Sequence, residues 1–209
     1  MNIVKIEAKE AFDASGNIGL VCCIDLEDGT RVNSRIPSSF FPSVSFTDHE
    51  KFITKTIHTI NEVFAPALIE RVPDVKLMDV IISELNDSNG HDLVHSSVTF
   101  LMSSAICKAQ AIVYQCEAFE LLADLGGAET VCLPFPLISV LDDVAFTSNY
   151  VLPFKKILLM PLGAPDFKTS CKYAFQVSQE IKNTILEKAP HVCRGLDGGI
   201  SLTVNSLTD

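Results

Sequence analysis

A strand, a glycine turn and an amphipathic helix are predicted between Lys155 and Lys188, and this unit constrains the fold more than any other stretch. The apolar run at residues 157–160, closed by a turn around Gly163, favours a fully buried strand. Asp166 is placed to cap a helix whose apolar residues recur at three- and four-residue steps. They are Phe167, Cys171, Ala174, Phe175, Ser178, Ile181 and Ile185. A single stripe of this kind must be buried against another part of the fold.

The first residues of the chain predict a three-stranded antiparallel meander. Residues 3–8 and 19–26 are apolar or alternating and rich in β-branched side chains, and the turn cluster at residues 13–17 joins them as a hairpin. A second turn at Asp28 leads into a third strand at residues 31–36. Strands that follow one another along the chain are therefore expected to be neighbours in the sheet.

Helical spacing of apolar residues follows the meander in three segments. Residues 49–68 form the first, in which Pro66 is expected to bend or end the helix. Residues 74–85 form the second. Residues 95–122 are apolar on most sides and predict either one central helix or two helices packed against each other.

A domain boundary is predicted after these helices. Glycines at 126–127 close the helical region, and the proline-rich residues 133–136 open the next unit. We therefore divide the chain into an N-terminal α+β domain, residues 1–130, and a second segment, residues 131–209, with two strands and one helix.

Composition excludes several classes of partner. The formal net charge is −10, with a pI near 4.9 and no run of basic residues, so nucleic acid is not an expected partner. The sequence starts without a signal-peptide pattern, and no apolar run is expected to span a membrane, which predicts a cytoplasmic protein. Seven cysteines, mostly in apolar periodic segments, favour reduced thiols over disulfides.

Six local strings resemble enolase (phosphopyruvate hydratase), and they occur in the order and at the spacing of that family. They are residues 6–17 (A-R-E-I-L-D-S-R-G-N-P in the family), 61–69 (N-x-I-x-P-A-L-I), 105–109 (A-V-x-K-A), 133–136 (L-P-V-P), 157–168 (F-M-I-x-P-V-G-A-x-S-F-K) and 195–199 (G-D-E-G-G). The resemblance covers the whole chain, whereas the chain covers about half of the family. It implies an enolase N-terminal domain, a three-stranded antiparallel meander followed by helices, and then an incomplete β/α barrel.

The resemblance also assigns the family's catalytic and metal positions to residues of this chain. The serine of the mobile metal loop falls on Phe41, and the loop histidine falls near Phe146. The family's Gln-Glu pair falls on Lys155 and Lys156, and the acid of G-D-E-G-G falls on Asp197. A phenyl ring offers no oxygen to a hard cation, and only Asp197 keeps a carboxylate. The magnesium carboxylates and catalytic lysines of the family lie on later barrel strands that this sequence does not contain.

These substitutions predict an enolase-like protein that is catalytically inactive and acts as a binding or assembly subunit, with no cofactor. Open strand edges of an incomplete barrel need cover, so we expect a homodimer, or a complex with a full-length enolase or another protein subunit. A compact monomer, with the last elements packed back on the first domain, stays open. The alternative is an enzyme: one half of a split or degenerate Mg²⁺-dependent phosphopyruvate hydratase that converts 2-phosphoglycerate to phosphoenolpyruvate.

Simpler structural roles stay open for the same residues. Lys156 and its neighbour can be a solvated pair beside a strand rather than an anion site, and Asp197 can be a turn residue. His91 and His95, four residues apart, have the spacing of a helical metal site but no obvious third ligand. Phe41, with Phe40 before it, is either a plug in the core or part of a contact patch.

Overall fold

The protein is α+β, with a three-stranded antiparallel sheet, helices and a second, small mixed sheet. The chain forms two compact units, Met1–Val131 and Cys132–Asp209. The computed structural model describes residues 1–14, 16–41, 46–87, 93–142, 156–188, 192–195 and 197–201.

The sheet of the first unit has the predicted meander. Its strands are β1 (Ile3–Phe12), β2 (Ile18–Leu26) and β3 (Arg31–Ile36), antiparallel and in the order β1-β2-β3. Strand β1 is four residues longer than expected, because pairing continues to Phe12 opposite Ile18. Asp13 then closes the hairpin, since its carboxylate accepts the backbone N–H of Asn17 at 3.0 Å.

The first helical segment agrees with the sequence, including the effect of its proline. Helix α1 (Phe46–Thr59) passes through a π-helical turn (Ile60–Phe64) into the short α2 (Ala65–Leu68). Pro66 has no N–H, and its ring pushes away the carbonyl four residues earlier, so a wider turn directly before it relieves the clash. Helix α3 (Val75–Asp87) follows, with the Asp74 carboxylate accepting the N–H of Leu77.

The long apolar segment forms two helices rather than one. They are α4 (Ser96–Tyr114) and α5 (Ala118–Leu125). Gln115 ends α4 in the left-handed region at φ 56°, and Glu117 with Glu120 forms a capping box at the start of α5. These local signals stop the helix although the apolar pattern continues.

Helix α4 is the centre of the first unit. Its residues Leu101, Met102 and Ala105 are fully buried in a core shared with the sheet. Contrary to the sequence-based expectation, α4 has the length and apolar composition of a candidate membrane span. More than half of that window is buried inside the unit, a pattern that a core helix of a soluble protein also shows.

Six cysteines are free thiols: Cys22, Cys23, Cys107, Cys116, Cys132 and Cys171. Cys22 and Cys23 are both buried, although neighbours on a strand point to opposite faces. Cys23 is shielded because β2 is the central strand and has partners on both sides. Burial, with a smaller effect of Cys23, raises the pKa of the Cys22 thiol to about 12, so this side chain stays protonated.

The outer edge of β1 is closed by hydrogen bonds from outside the sheet. The Asn61 side chain accepts the N–H of Ala8 at 2.7 Å and donates to its carbonyl at 3.2 Å. Ile3 donates its N–H to the carbonyl of Arg71 and accepts the N–H of Glu70, both at 2.8 Å. These bonds occupy groups that would otherwise be available to another strand.

The second unit contains more strands than the two that were predicted. They are β4 (Ile138–Asp142), β5 (Lys156–Leu159), β6 (Cys193–Arg194) and β7 (Ile200–Ser201), with helix α6 (Phe167–Lys188) between β5 and β6. The sheet order is β5-β4-β7-β6, and only the β4–β7 pair is parallel. Strands β6 and β7 were missed because two residues on either side of a glycine turn are too few to show a period of two.

The prediction that β5 is fully buried is wrong. Ile157 and Leu158 are 42% and 46% exposed, because β5 is an edge strand whose one partner among the described strands is β4. Asp166 caps α6 as expected, with its carboxylate accepting the N–H of Thr169. The predicted stripe on α6 is only partly buried: Ala174 is inaccessible, whereas Phe175 is 63% exposed. The strands of the second unit are two to five residues long, so their surface is too small to cover the whole apolar stripe of α6.

Candidate functional site

A buried carboxylate at the end of β4 organises the second unit. Asp142 is 3% exposed and accepts the backbone N–H groups of Asp197 at 3.2 Å and Gly199 at 3.0 Å, together with the hydroxyl of Ser139. It thereby holds the glycine turn, defined here as Gly195, Asp197, Gly198 and Gly199, against the sheet. Several N–H donors are what a buried carboxylate needs in order to be tolerated.

Sequence reasoning missed Asp142. The available signal was a carboxylate at the end of a short apolar run, where its side chain must either reach solvent or find donors. Nothing near it in sequence names those donors, because they lie 55 and 57 residues further along the chain.

Two residues that the sequence singled out separately are joined by an ion pair. The Nζ of Lys156, at the start of β5, contacts Oδ2 of Asp197 in the glycine turn. Both side chains are about half exposed, so the pair contributes little to stability. The pair places a cation directly against the Asp197 carboxylate. The predicted sites at Lys155 and Phe146 lie outside the described residues.

Phe41 is a core residue. It is 7% exposed, and its ring lies 5.3 Å from the ring of Phe52 and 5.8 Å from that of His49. His49 is itself tied to the sheet by a 2.9 Å hydrogen bond between Nε2 and the carbonyl of Ile18. Of the two alternatives, Phe41 is therefore the plug, whereas its neighbour Phe40 is 54% exposed.

His95 has a structural role at the start of α4. Its Nδ1 accepts the N–H of Ser97 at 3.3 Å and lies 2.8 Å from the Ser97 hydroxyl. The His95 side chain therefore caps the N-terminus of the helix. His91, its proposed partner in a metal site, lies outside the described residues. Within the part of the chain that the structure describes, no three His, Cys, Asp or Glu side chains converge as a metal site requires.

A groove of about 370 Å³ between α3 and α4 contains one carboxylate with a shifted pKa. Asp79 accepts a hydrogen bond from the Ser103 hydroxyl at 2.9 Å, and Phe100 lines the same groove. Burial raises the pKa of Asp79 above its ordinary value of 3.8, and the bond from Ser103 opposes this only in part.

Asp79→Asn is therefore expected to stabilise the protein at neutral pH. A raised pKa in the folded state means that the contribution of Asp79 to stability is complete only in acid and is lost as the pH rises through that pKa. The gain should be below about 1 kcal/mol, because the side chain is partly solvated. It should shrink as the pH falls towards 3.8. Urea unfolding of both proteins from pH 3 to 8 measures the difference.

Glu84→Gln is the matched control, because Glu84 is an exposed carboxylate on the same helix. It should change stability little at any of these pH values. A destabilised Asp79→Asn protein at pH 7 would show that the charged form of Asp79 supports the fold.

No model of a known protein family matches this sequence. The candidate residues that the geometry defines are the ion pair of Lys156 with Asp197, the carboxylate of Asp142 and the buried ring of Phe41.

Proposed function

We propose that this chain is an enolase-like protein that does not dehydrate 2-phosphoglycerate and that acts as a binding or assembly subunit. The ion pair between Lys156 and Asp197 carries this proposal. The resemblance puts a carboxylate of the family's acid pair at each of these positions, and general acid–base chemistry needs those groups free to exchange protons with the substrate. The lysine replaces one of these acids and holds the other, Asp197, in an ion pair.

The packing of Phe41 supports the same function. The resemblance assigns this position to a serine of a loop that moves and holds Mg²⁺. Here the position is occupied by a ring buried between Phe52 and His49. Withdrawing a buried Phe side chain into water costs roughly 1.5–3 kcal/mol, so Phe41 holds this part of the chain in the core.

The exposed edge of the second unit supports a role in assembly. Strand β5 and the turn after it present Ile157, Leu158, Met160 and Leu162, each at least 42% exposed. An apolar edge strand is a template for pairing with another strand. We propose a second copy of this chain as the partner. Residues 157–160 carry no charge, so two chains of net charge −10 can meet there without opposing like charges.

The test of the function is an assay for phosphoenolpyruvate formation from 2-phosphoglycerate in the presence of Mg²⁺. We expect no turnover above the background measured with a metal chelator. The assay is repeated with any protein that co-purifies with the chain, because the alternative is one half of a split enzyme. Turnover that the chelator abolishes, alone or with that protein, would refute the inactive function.

The assembly role is tested by light scattering, with the expectation of a dimer. Leu158→Glu places a charge on the β5 edge and should shift the mass to the monomer. Leu77→Glu is the matched control, because Leu77 is similarly exposed, at 49%, on α3 of the other unit. A wild-type monomer at every concentration would contradict self-association. If the chain pairs only with a complete enolase or another subunit, that protein, and not a second copy of this chain, is the partner.

A further inference from the structure

A second cavity, of about 230 Å³, lies within the second unit between α6 and the β6–β7 hairpin. Its apolar side is formed by Val140, Val192 and Ile200. Its polar side is formed by Ser178, Gln179 and Lys182 of α6 and by Arg194 of β6. A small concave site with one apolar wall and a few convergent polar groups is the usual form of a small-molecule site.

The two cations of this cavity form no ion pair with any carboxylate in the part of the chain that the structure describes. Lys182 and Arg194 come from different elements and line the same space. Among the described residues, neither has a carboxylate oxygen within 4.0 Å, unlike Lys156 beside Asp197. Two positive charges that line one cavity make its electrostatic potential more positive, which favours a bound anion.

The glycine turn lies beside the Arg194 side chain, but N–H groups of the turn are already used in hydrogen bonds within the protein. Gly198 has φ 85°, and a Cβ built on it would lie 3.7 Å from Nη2 and 3.9 Å from Nε of Arg194, so the guanidinium lies close beside the turn. The N–H groups of Asp197 and Gly199 are given to Asp142, and that of Gly198 to the carbonyl of Gly195 at 3.1 Å. A ligand must therefore be held by the arginine, the lysine, the Ser178 hydroxyl and the Gln179 amide.

We propose that this cavity binds the doubly charged oxyanion group of a small molecule. The arginine fork matches a pair of oxygens, and the lysine adds a point charge. The aliphatic wall of Val140, Val192 and Ile200 accepts a short apolar group attached to the anion. The site involves neither Lys156 nor Phe41, so it holds whether or not the chain is an inactive enolase-like protein.

Inorganic phosphate is the probe, added to ¹⁵N-labelled protein at constant ionic strength and followed by NMR. We expect saturable shifts of the amides of Ser178, Gln179 and the glycine turn at about 1 mM phosphate. Succinate, titrated in the same way, distinguishes a phosphate site from a dicarboxylate site. Arg194→Gln and Lys182→Gln should each weaken binding at least tenfold, because each removes one of the two charges.

Lys172→Gln is the matched control, because it removes the same charge from an exposed position of α6 outside the cavity. It should leave the affinity unchanged. The proposal is overturned if neither anion gives saturable shifts, if both cavity variants bind as the wild type does, or if Lys172→Gln weakens binding equally. Lys182 is on the helix surface, so its variant tests the site even if Arg194→Gln disturbs the hairpin.

Discussion

Gly195→Ala is expected to displace the glycine turn from the end of β4 and to destabilise the second unit by about 3 kcal/mol or more. A Cβ on Gly195 would lie 2.6 Å from Cγ of Asp142 and still closer to Cβ and Oδ2 of that residue. The backbone must therefore move. That movement withdraws the N–H groups of Asp197 and Gly199 from a carboxylate that is only 3% exposed, so little solvation replaces them.

Denaturant unfolding and amide hydrogen exchange of the second unit measure this effect. Gly163→Ala is the control, because a Cβ at Gly163 meets no atom within 4 Å and the residue lies outside the left-handed region. The control should be neutral or slightly stabilising, since alanine lowers the entropy of the unfolded chain. Equal effects of the two substitutions would mean that the contact between Gly195 and Asp142 does not hold the turn.

Phe41→Ser is expected to destabilise the first unit by about 4 kcal/mol. The substitution introduces the residue type that the enolase resemblance implies at this position, but it also empties the space beside Phe52 and His49 and leaves a hydroxyl there. Loss of a large buried ring and the burial of a polar group both oppose folding. We expect no Mg²⁺-dependent activity from this variant.

Phe40→Ser is the matched control, because the two phenylalanines are adjacent and Phe40 is 54% exposed. Its free energy of unfolding, from urea titration, should lie within about 0.5 kcal/mol of the wild type. If Phe41→Ser were as mild as Phe40→Ser, Phe41 would not be a core residue.

The assembly proposal follows from the contrast between the two sheets. In the first unit, Asn61 and the backbone of Glu70 and Arg71 occupy the free edge of β1. In the second unit, β5 is an edge with exposed apolar residues on both faces. A chain that protects one edge and leaves another apolar is suited to pairing through the second.

The sequence by itself determined the elements whose signals are local. Alternating strands separated by Asp13 to Asn17 and by Asp28 with Gly29 were sufficient for the meander, and the cap at Asp166 was sufficient to start α6. Prediction from the sequence failed for elements that are too short to show a periodic pattern, and for elements whose composition conflicts with their place in the sheet. Strands β6 and β7 have two residues each, and the apolar composition of β5 indicated burial that an edge strand does not have.

Only the tertiary structure decided which charges meet. Asp142 binds N–H groups 55 and 57 residues away, and Lys156 reaches Asp197 across the same sheet. Lys182 and Arg194 face one cavity for the same reason. Periodicity reports on residues within a few turns of a helix or strand, whereas these pairings depend on the path of the chain between them. The sequence therefore singled out Lys156 and Asp197 separately, and only the fold brought them together and added Asp142 beside them.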